Sequence, residues 1–148
     1  MKGLYRGFCR NENGTETIVL NGEKIKGEWV YGGLYVNSRI YDIKADHFII
    51  TTIDGFGMIE PPMAKPIEVI PETVCEAVRG LTDRNGKQVF EGDIFKNGSY
   101  PLAEVKYNEE FWEWSAKDFG GFEDKINEFN VDEVIGTIFD EQFAEGEK

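Results

Sequence analysis

Residues 80–95 read Gly-Leu-Thr-Asp-Arg-Asn-Gly-Lys-Gln-Val-Phe-Glu-Gly-Asp-Ile-Phe, and nearly every one is a turn former or a strand former. Asn85-Gly86 is a strong hairpin dipeptide, because both residue types tolerate positive φ, and the Asp83 side chain can accept hydrogen bonds from the backbone two residues on. Gly92-Asp93 then closes the strand that ends at Glu91 and opens the next at Ile94-Phe95. The segment therefore predicts a β-hairpin followed directly by another strand, and Asp83, Asn85, Gly86, Gly92 and Asp93 are all explained as turn residues. A calcium loop starting at Asp83 is excluded. It would need an oxygen ligand at its fifth position and glycine at its sixth, where Lys87 and Gln88 stand.

The same punctuation runs through the chain. Asn21-Gly22 and Asp54-Gly55 separate β-rich stretches at 3–10, 16–20, 28–36, 40–42, 48–53 and 58–59. Pro61, Pro62, Pro66 and Pro71 exclude a central strand and predict an extended connector. Five further short strands follow, at 89–91, 94–96, 102–107, 112–116 and 133–139, a density suited to a small barrel. The expected fold is mainly β, with a β-rich unit over 1–70 and a small SH3-like barrel over 71–148. Phe122, Ile126 and Phe129 are spaced four and three apart, which predicts a short helix after Gly120-Gly121. The tail from Glu141 is expected to fray.

Four blocks carry a family likeness. The hairpin segment resembles the signature of the YopX family. Gly27-Glu28-Trp29-Val30-Tyr31-Gly32-Gly33-Leu34 is similar to its G-x-W-V-Y-G-x-L element, Pro71-Glu72-Thr73-Val74 to its P-E-T-V lead-in, and Val134-Ile135-Gly136-Thr137-Ile138-Phe139-Asp140 to its closing strand. Where the family more often has Gly-Gln-Tyr-Thr-Gly before the signature, this chain has Cys75-Glu76-Ala77-Val78-Arg79-Gly80, and no strand is assigned there. The resemblance implies a YopX-like fold and a protein encoded by a temperate phage or prophage of a Gram-positive bacterium. It implies no activity, since the family has none established.

Charge limits the partners. The net charge is −12; residues 1–102 hold 12 basic and 14 acidic side chains, residues 103–148 hold 4 and 14. Such a surface repels nucleic-acid phosphates, so direct DNA or RNA binding is not expected. The acidic half either keeps the protein soluble or meets a basic partner, as an acidic inhibitor or DNA-mimic decoy of a host DNA-binding or nuclease protein would. No apolar run reaches membrane-span length and Met1 leads into no apolar signal core, so a cytoplasmic protein without membrane contact is expected. Cys9 and Cys75 then read as free thiols, and Asn13-Gly14-Thr15 and Asn97-Gly98-Ser99 as turns rather than glycosylation sites.

Catalytic chemistry is hard to assemble from these residues. His47 is the single histidine and has no nucleophile elbow or cysteine context to serve. Gly32-Gly33 and Gly120-Gly121 lack phosphate-loop spacing. Glu109-Glu110 and Asp132-Glu133 could pair for acid–base or magnesium chemistry in a cryptic carboxylate enzyme, but among 28 acids such neighbours arise by chance. No catalytic residue, metal or cofactor is therefore expected.

The aromatic run Phe111-Trp112-Glu113-Trp114 is the best contact candidate. Strand alternation would place Trp112 and Trp114 on one face and Phe111 and Glu113 on the other. The area a tryptophan buries favours both tryptophans as core; exposed, they would be interface anchors. Glu109, Glu110, Glu123 and Asp124 are the residues through which the acidic segment would meet a basic partner, if it does more than keep the protein soluble. The function these features support is a non-catalytic protein-interaction or self-assembling accessory protein, with homo-oligomerisation covering aromatics and open strand edges.

Overall fold

The computed structural model describes residues 3–37, 46–52, 64–98, 100–126 and 131–144. Its strands are β1 Tyr5–Arg10, β2 Glu16–Leu20, β3 Glu23–Asn37, β4 Asp46–Thr52, β5 Ala64–Val69, β6 Cys75–Thr82, β7 Gln88–Phe90, β8 Asp93–Asn97, β9 Tyr100–Asn108, β10 Glu113–Asp118, β11 Glu123–Lys125 and β12 Glu133–Thr137. One helical turn, α1, covers Glu141–Ala144, and a 3₁₀ turn covers Pro71–Thr73. The protein is mainly β, as the turn punctuation requires. The expected strands at 40–42 and 58–59, together with Asp54-Gly55 and Phe129, lie outside the described residues.

The chain divides into two compact units, 1–17 with 25–76, and 18–24 with 77–148. The division differs from the expected one at residue 70 chiefly because 18–24, from the turn between β2 and β3, belongs with the second unit.

In the first unit the strand order is β5-β4-β3-β1, and the start of β6 pairs β1 through Arg6↔Cys75. All these ladders are antiparallel. Pro66 does not prevent β5 from forming; it sits opposite Ile50 in the last strand of the row, where the missing N–H costs no ladder bond on the outer side. The segment expected as a connector is in part this edge strand. Phe8 is fully buried, and its N–H donates to Thr73 Oγ1 at 2.9 Å while its carbonyl accepts from Ile70 N–H at 2.9 Å. Gly27, in the second family block, is fixed by close approach: a Cβ there would collide with the Cys9 carbonyl and press on the Phe8 ring.

The second unit is a curled half-barrel. Its sheet runs β11-β10-β9-β8-β12, and β6 pairs β7. Val78 and Val89 from β6 and β7 share one core with Phe95, Ala103, Val105, Ala116, Ile126 and Val134. β6 is not legible in the sequence because its register breaks between Ala77 and Thr82, around Gly80 at φ 80°. The Gln88 side-chain amide lies against the Val78, Leu81 and Val89 carbonyls at 2.8–3.1 Å, supplying donors where the ladder is interrupted.

The turn residues do the work expected of them, with one change. Asn21 and Gly22 both have positive φ, 53° and 83°, as a two-residue hairpin demands. At Asn85-Gly86 only Gly86 does, at 83°. Asp83 N–H donates to the Lys87 carbonyl and Gly86 N–H to the Asp83 carbonyl, so Arg84-Asn85-Gly86 is a three-residue loop with glycine in the left-handed position. Gly92 N–H donates to Val105 and its carbonyl accepts from Ile138, while Asp93 Oδ2 accepts from Phe90 N–H at 2.8 Å.

Two expectations near the end are corrected. Residues 123–125 form β11 against β10 rather than a helix, because the Asp118 carboxylate folds 118–122 into a tight turn that sends the chain back along β10. Glu141–Ala144 is helical and not frayed, because Phe143 is buried and its N–H donates to the Asp140 carbonyl.

Candidate interaction site

The last pair of the β9–β10 ladder is Asn108↔Glu113, which leaves Glu109-Glu110-Phe111-Trp112 as the connecting turn. Asn108 starts it. Its Oδ1 accepts from Glu110 N–H at 2.9 Å and Phe111 N–H at 3.2 Å, the side-chain substitute for a backbone turn. Its Nδ2 reaches Glu123 Oε2 at 3.4 Å, and that same oxygen accepts from the buried Ser115 hydroxyl at 2.5 Å. The turn is thus held at its base by a polar group from β11.

What the turn presents is apolar. Phe111 is 63% exposed and Trp112 81%. Trp112 also has φ 55°, in the left-handed region. The other described residues with positive φ are six glycines and Asn21, the types that tolerate it. A bulky residue there costs about 1–2 kcal/mol, and this one recovers little of it by burial.

Alternation therefore fails at this point: Trp112 and Trp114 do not share a strand face. Trp112 belongs to the turn, whereas Trp114 lies in β10 opposite Tyr107, packed edge-on to that ring at 5.1 Å and against the core of the unit. The expected burial of both tryptophans is thus corrected to partial burial of one, Trp114. Phe111 emerges as the second exposed member. The signal that could have revealed it is Asn108 followed by two glutamates, a turn start that ends the strand before the aromatics begin.

The four acidic candidates separate as well. Glu109 and Glu110 are exposed in the turn itself. Glu123 pairs with Lys117 and Asp124 with Ala116, so the two occupy opposite faces of β11, and Asp124 lies on the side of the buried Ala116. Glu113 is paired with Lys125 at 3.9 Å. Asp132 and Glu133 serve the fold: Asp132 Oδ2 accepts from Gly98 N–H at 2.7 Å, and Glu133 lies 3.8 Å from Arg84. Among the described residues no three His, Cys, Asp or Glu side chains gather as a metal site.

His47 is in β4, opposite Val36 and Val69. Cys9 and Cys75 are free thiols, and burial together with the charges of Glu28 and Glu68 pushes the Cys9 thiol up, away from its reactive thiolate form. Asp83 is 5% exposed; its Oδ1 accepts from Asn85 and Lys87 N–H at 2.9 Å and its Oδ2 from Val134 N–H at 3.0 Å. Desolvation acts to raise its pKa, but the bonds from Val134, Lys87 and Asn85, with the Lys87 charge, outweigh it and hold the carboxyl below its ordinary value. No described helix is long and apolar enough to cross a membrane.

Fold and site together define a mainly β protein whose second unit is a half-barrel carrying an exposed aromatic turn. Residues 22–142 match the model of the YopX protein family, and the chain belongs to that family. No curated protein and no solved structure matches it.

Proposed function

We propose that this YopX-family protein is a non-catalytic accessory protein, of phage or prophage origin and acting in the host cytoplasm, that works by binding protein through the β9–β10 turn. The observation that carries this reading is Trp112, a large aromatic at 81% exposure on a left-handed backbone. Strain at an exposed site that the fold does not need is the mark of a residue retained for contact. Trp with a neighbouring Phe on a braced turn is also the composition of an interface anchor. The partner is either a second copy, giving a homo-oligomer, or a different protein.

The test is Trp112→Gly. Light scattering on wild type and variant reads self-association against the 16.9 kDa monomer, and affinity capture from host lysate reads other partners. Loss of either interaction in a variant that remains folded supports the reading. A folded variant that retains every interaction of the wild type refutes it. Hydrolase or nuclease activity abolished by His47→Ala, or restored by a divalent metal, would replace it with an enzymatic one.

A further inference from the structure

The chemistry of this turn discriminates between its occupants. Resting on the reading above, we infer that the β9–β10 turn binds a basic segment of another protein, with an arginine or lysine of that segment stacked on Trp112 and flanked by Glu109 and Glu110.

Three observations converge on one ligand. An indole face is the best aromatic platform for a cation, and the rings of Phe111 and Trp112 are in no aromatic or cationic contact among the described residues. Glu109 and Glu110 precede the aromatics on the same turn, both exposed. Among the described residues neither forms an ion pair, while the nearby Lys125 is engaged by Glu113. Lastly, residues 104–125 carry seven acidic and three basic side chains within a chain of net charge −12.

Those charges weigh against a second copy as the occupant. Two identical turns brought together would set Glu109 and Glu110 against themselves, and like charges across an interface are strongly disfavoured. A basic segment reverses the sign of each of these terms. The aromatic rings supply the apolar contact, and the carboxylates draw the cation onto them. The same protein already contains the stacking element of this arrangement in its first unit, where the Arg6 guanidinium lies 4.9 Å from the Trp29 ring centroid.

The experiment uses the whole chain and three synthetic peptides: alternating Arg and Leu, alternating Lys and Leu, and alternating Glu and Leu. Titration calorimetry measures affinity, and amide chemical shifts locate the contact. Expected is binding of the Arg peptide, weaker binding of the Lys peptide and none of the Glu peptide, with shifts confined to residues 108–113 and weakening as salt rises. Trp112→Ala is expected to weaken the Arg peptide about tenfold. Glu109→Gln with Glu110→Gln should weaken it severalfold and flatten its salt dependence. The control pair Glu12→Gln with Glu72→Gln, exposed positions of the first unit outside the turn, should leave it unchanged.

Absence of Arg-peptide binding overturns the inference. Equal losses from the turn and control pairs overturn it too, since they describe diffuse attraction to a polyanion. If the protein self-associates, Trp112→Gly abolishes the assembly and the Arg peptide does not bind, the basic partner is excluded while the protein-contact reading stands.

Discussion

Asp83 should be the most costly single polar side chain to remove from the second unit. Its carboxylate holds three backbone donors: Asn85 and Lys87 within its own loop, and Val134 at the start of β12, 51 residues further on. In Asp83→Ala the Asn85 and Lys87 N–H groups, at exposed positions, can be taken over by water. Val134 is 8% exposed, so its N–H loses a charged acceptor and gains nothing. An unsatisfied buried donor costs about 1–3 kcal/mol, and the loss of two solvent-replaceable bonds adds about 1 kcal/mol, giving roughly 2–4 kcal/mol in all. At about 2–4 °C per kcal/mol for a chain of this size, the melting temperature should fall on the order of 10 °C. Asp83→Asn is the sharper probe. Its single oxygen can face either Val134 or the loop, never both, and its amide nitrogen then confronts another donor.

The pH dependence follows from the direction of the Asp83 shift. Its folded pKa lies below the ordinary 3.8. The contribution is therefore fully present above about pH 4, and it is lost as pH falls through the lower folded value. Thermal melts of wild type and Asp83→Asn should differ by a constant gap from pH 7 to pH 5, and the gap should narrow at more acidic pH. Equal melting temperatures at pH 7, or a gap that stays constant through acid, would refute the assignment of stability to the ionised carboxylate.

Gly86→Val should cost about 1–2 kcal/mol by chemical denaturation, a backbone effect alone, because nothing lies within 4 Å of a Cβ built there. Gly27→Ala should cost at least as much for the opposite reason, backbone collision with Cys9, and a melting temperature within a degree or so of wild type would contradict that packing. Trp112→Gly should raise stability by about 0.5–1 kcal/mol, since glycine relieves the left-handed strain at some cost in chain entropy; a marked loss instead would make Trp112 a structural residue.

Much of the fold is legible wherever local chemistry decides. Asn21-Gly22, Asp83 with Asn85 and Lys87, and Asp93 with Phe90 form their turns through their own backbone geometry and nearby donors, so a window of a few residues contains the cause of each turn, though not the distant bonds of Asp83 to Val134 and of Gly92 to Val105. The misses share a different cause. β6 is interrupted at Gly80 and completed by Gln88, a side chain eight positions later. Pro66 fits because β5 is the last strand of its sheet among the described residues, a property of the whole sheet. The Phe122 and Ile126 spacing mimics a helix because a three-residue strand is too short for its period of two to show. Placing Trp112 on a strand face extends β10 one residue beyond its start at Glu113. A single-residue error at a turn converts an exposed contact residue into core, since alternation transmits the mistake to every side chain beyond it.

The family blocks and the candidate site divide the chain between two tasks. Gly27 allows β1 and β3 to approach, Thr73 in the Pro-Glu-Thr-Val block holds Phe8, Asp83 anchors the signature loop to β12, and the Gly92 backbone joins β9 to the chain after β12. Each block through which this chain resembles its family thus has a residue with a structural role. Asn108 to Trp112 lies between the blocks, at the end of a hairpin whose ladder is already complete at Asn108↔Glu113. The half-barrel would close its core as well with a Gly-containing turn at that position, since neither Phe111 nor Trp112 is among the residues that form it. A segment that the fold leaves free, and that still holds a tryptophan on a strained backbone beside two glutamates, is where the proposed contact with a partner should be tested first.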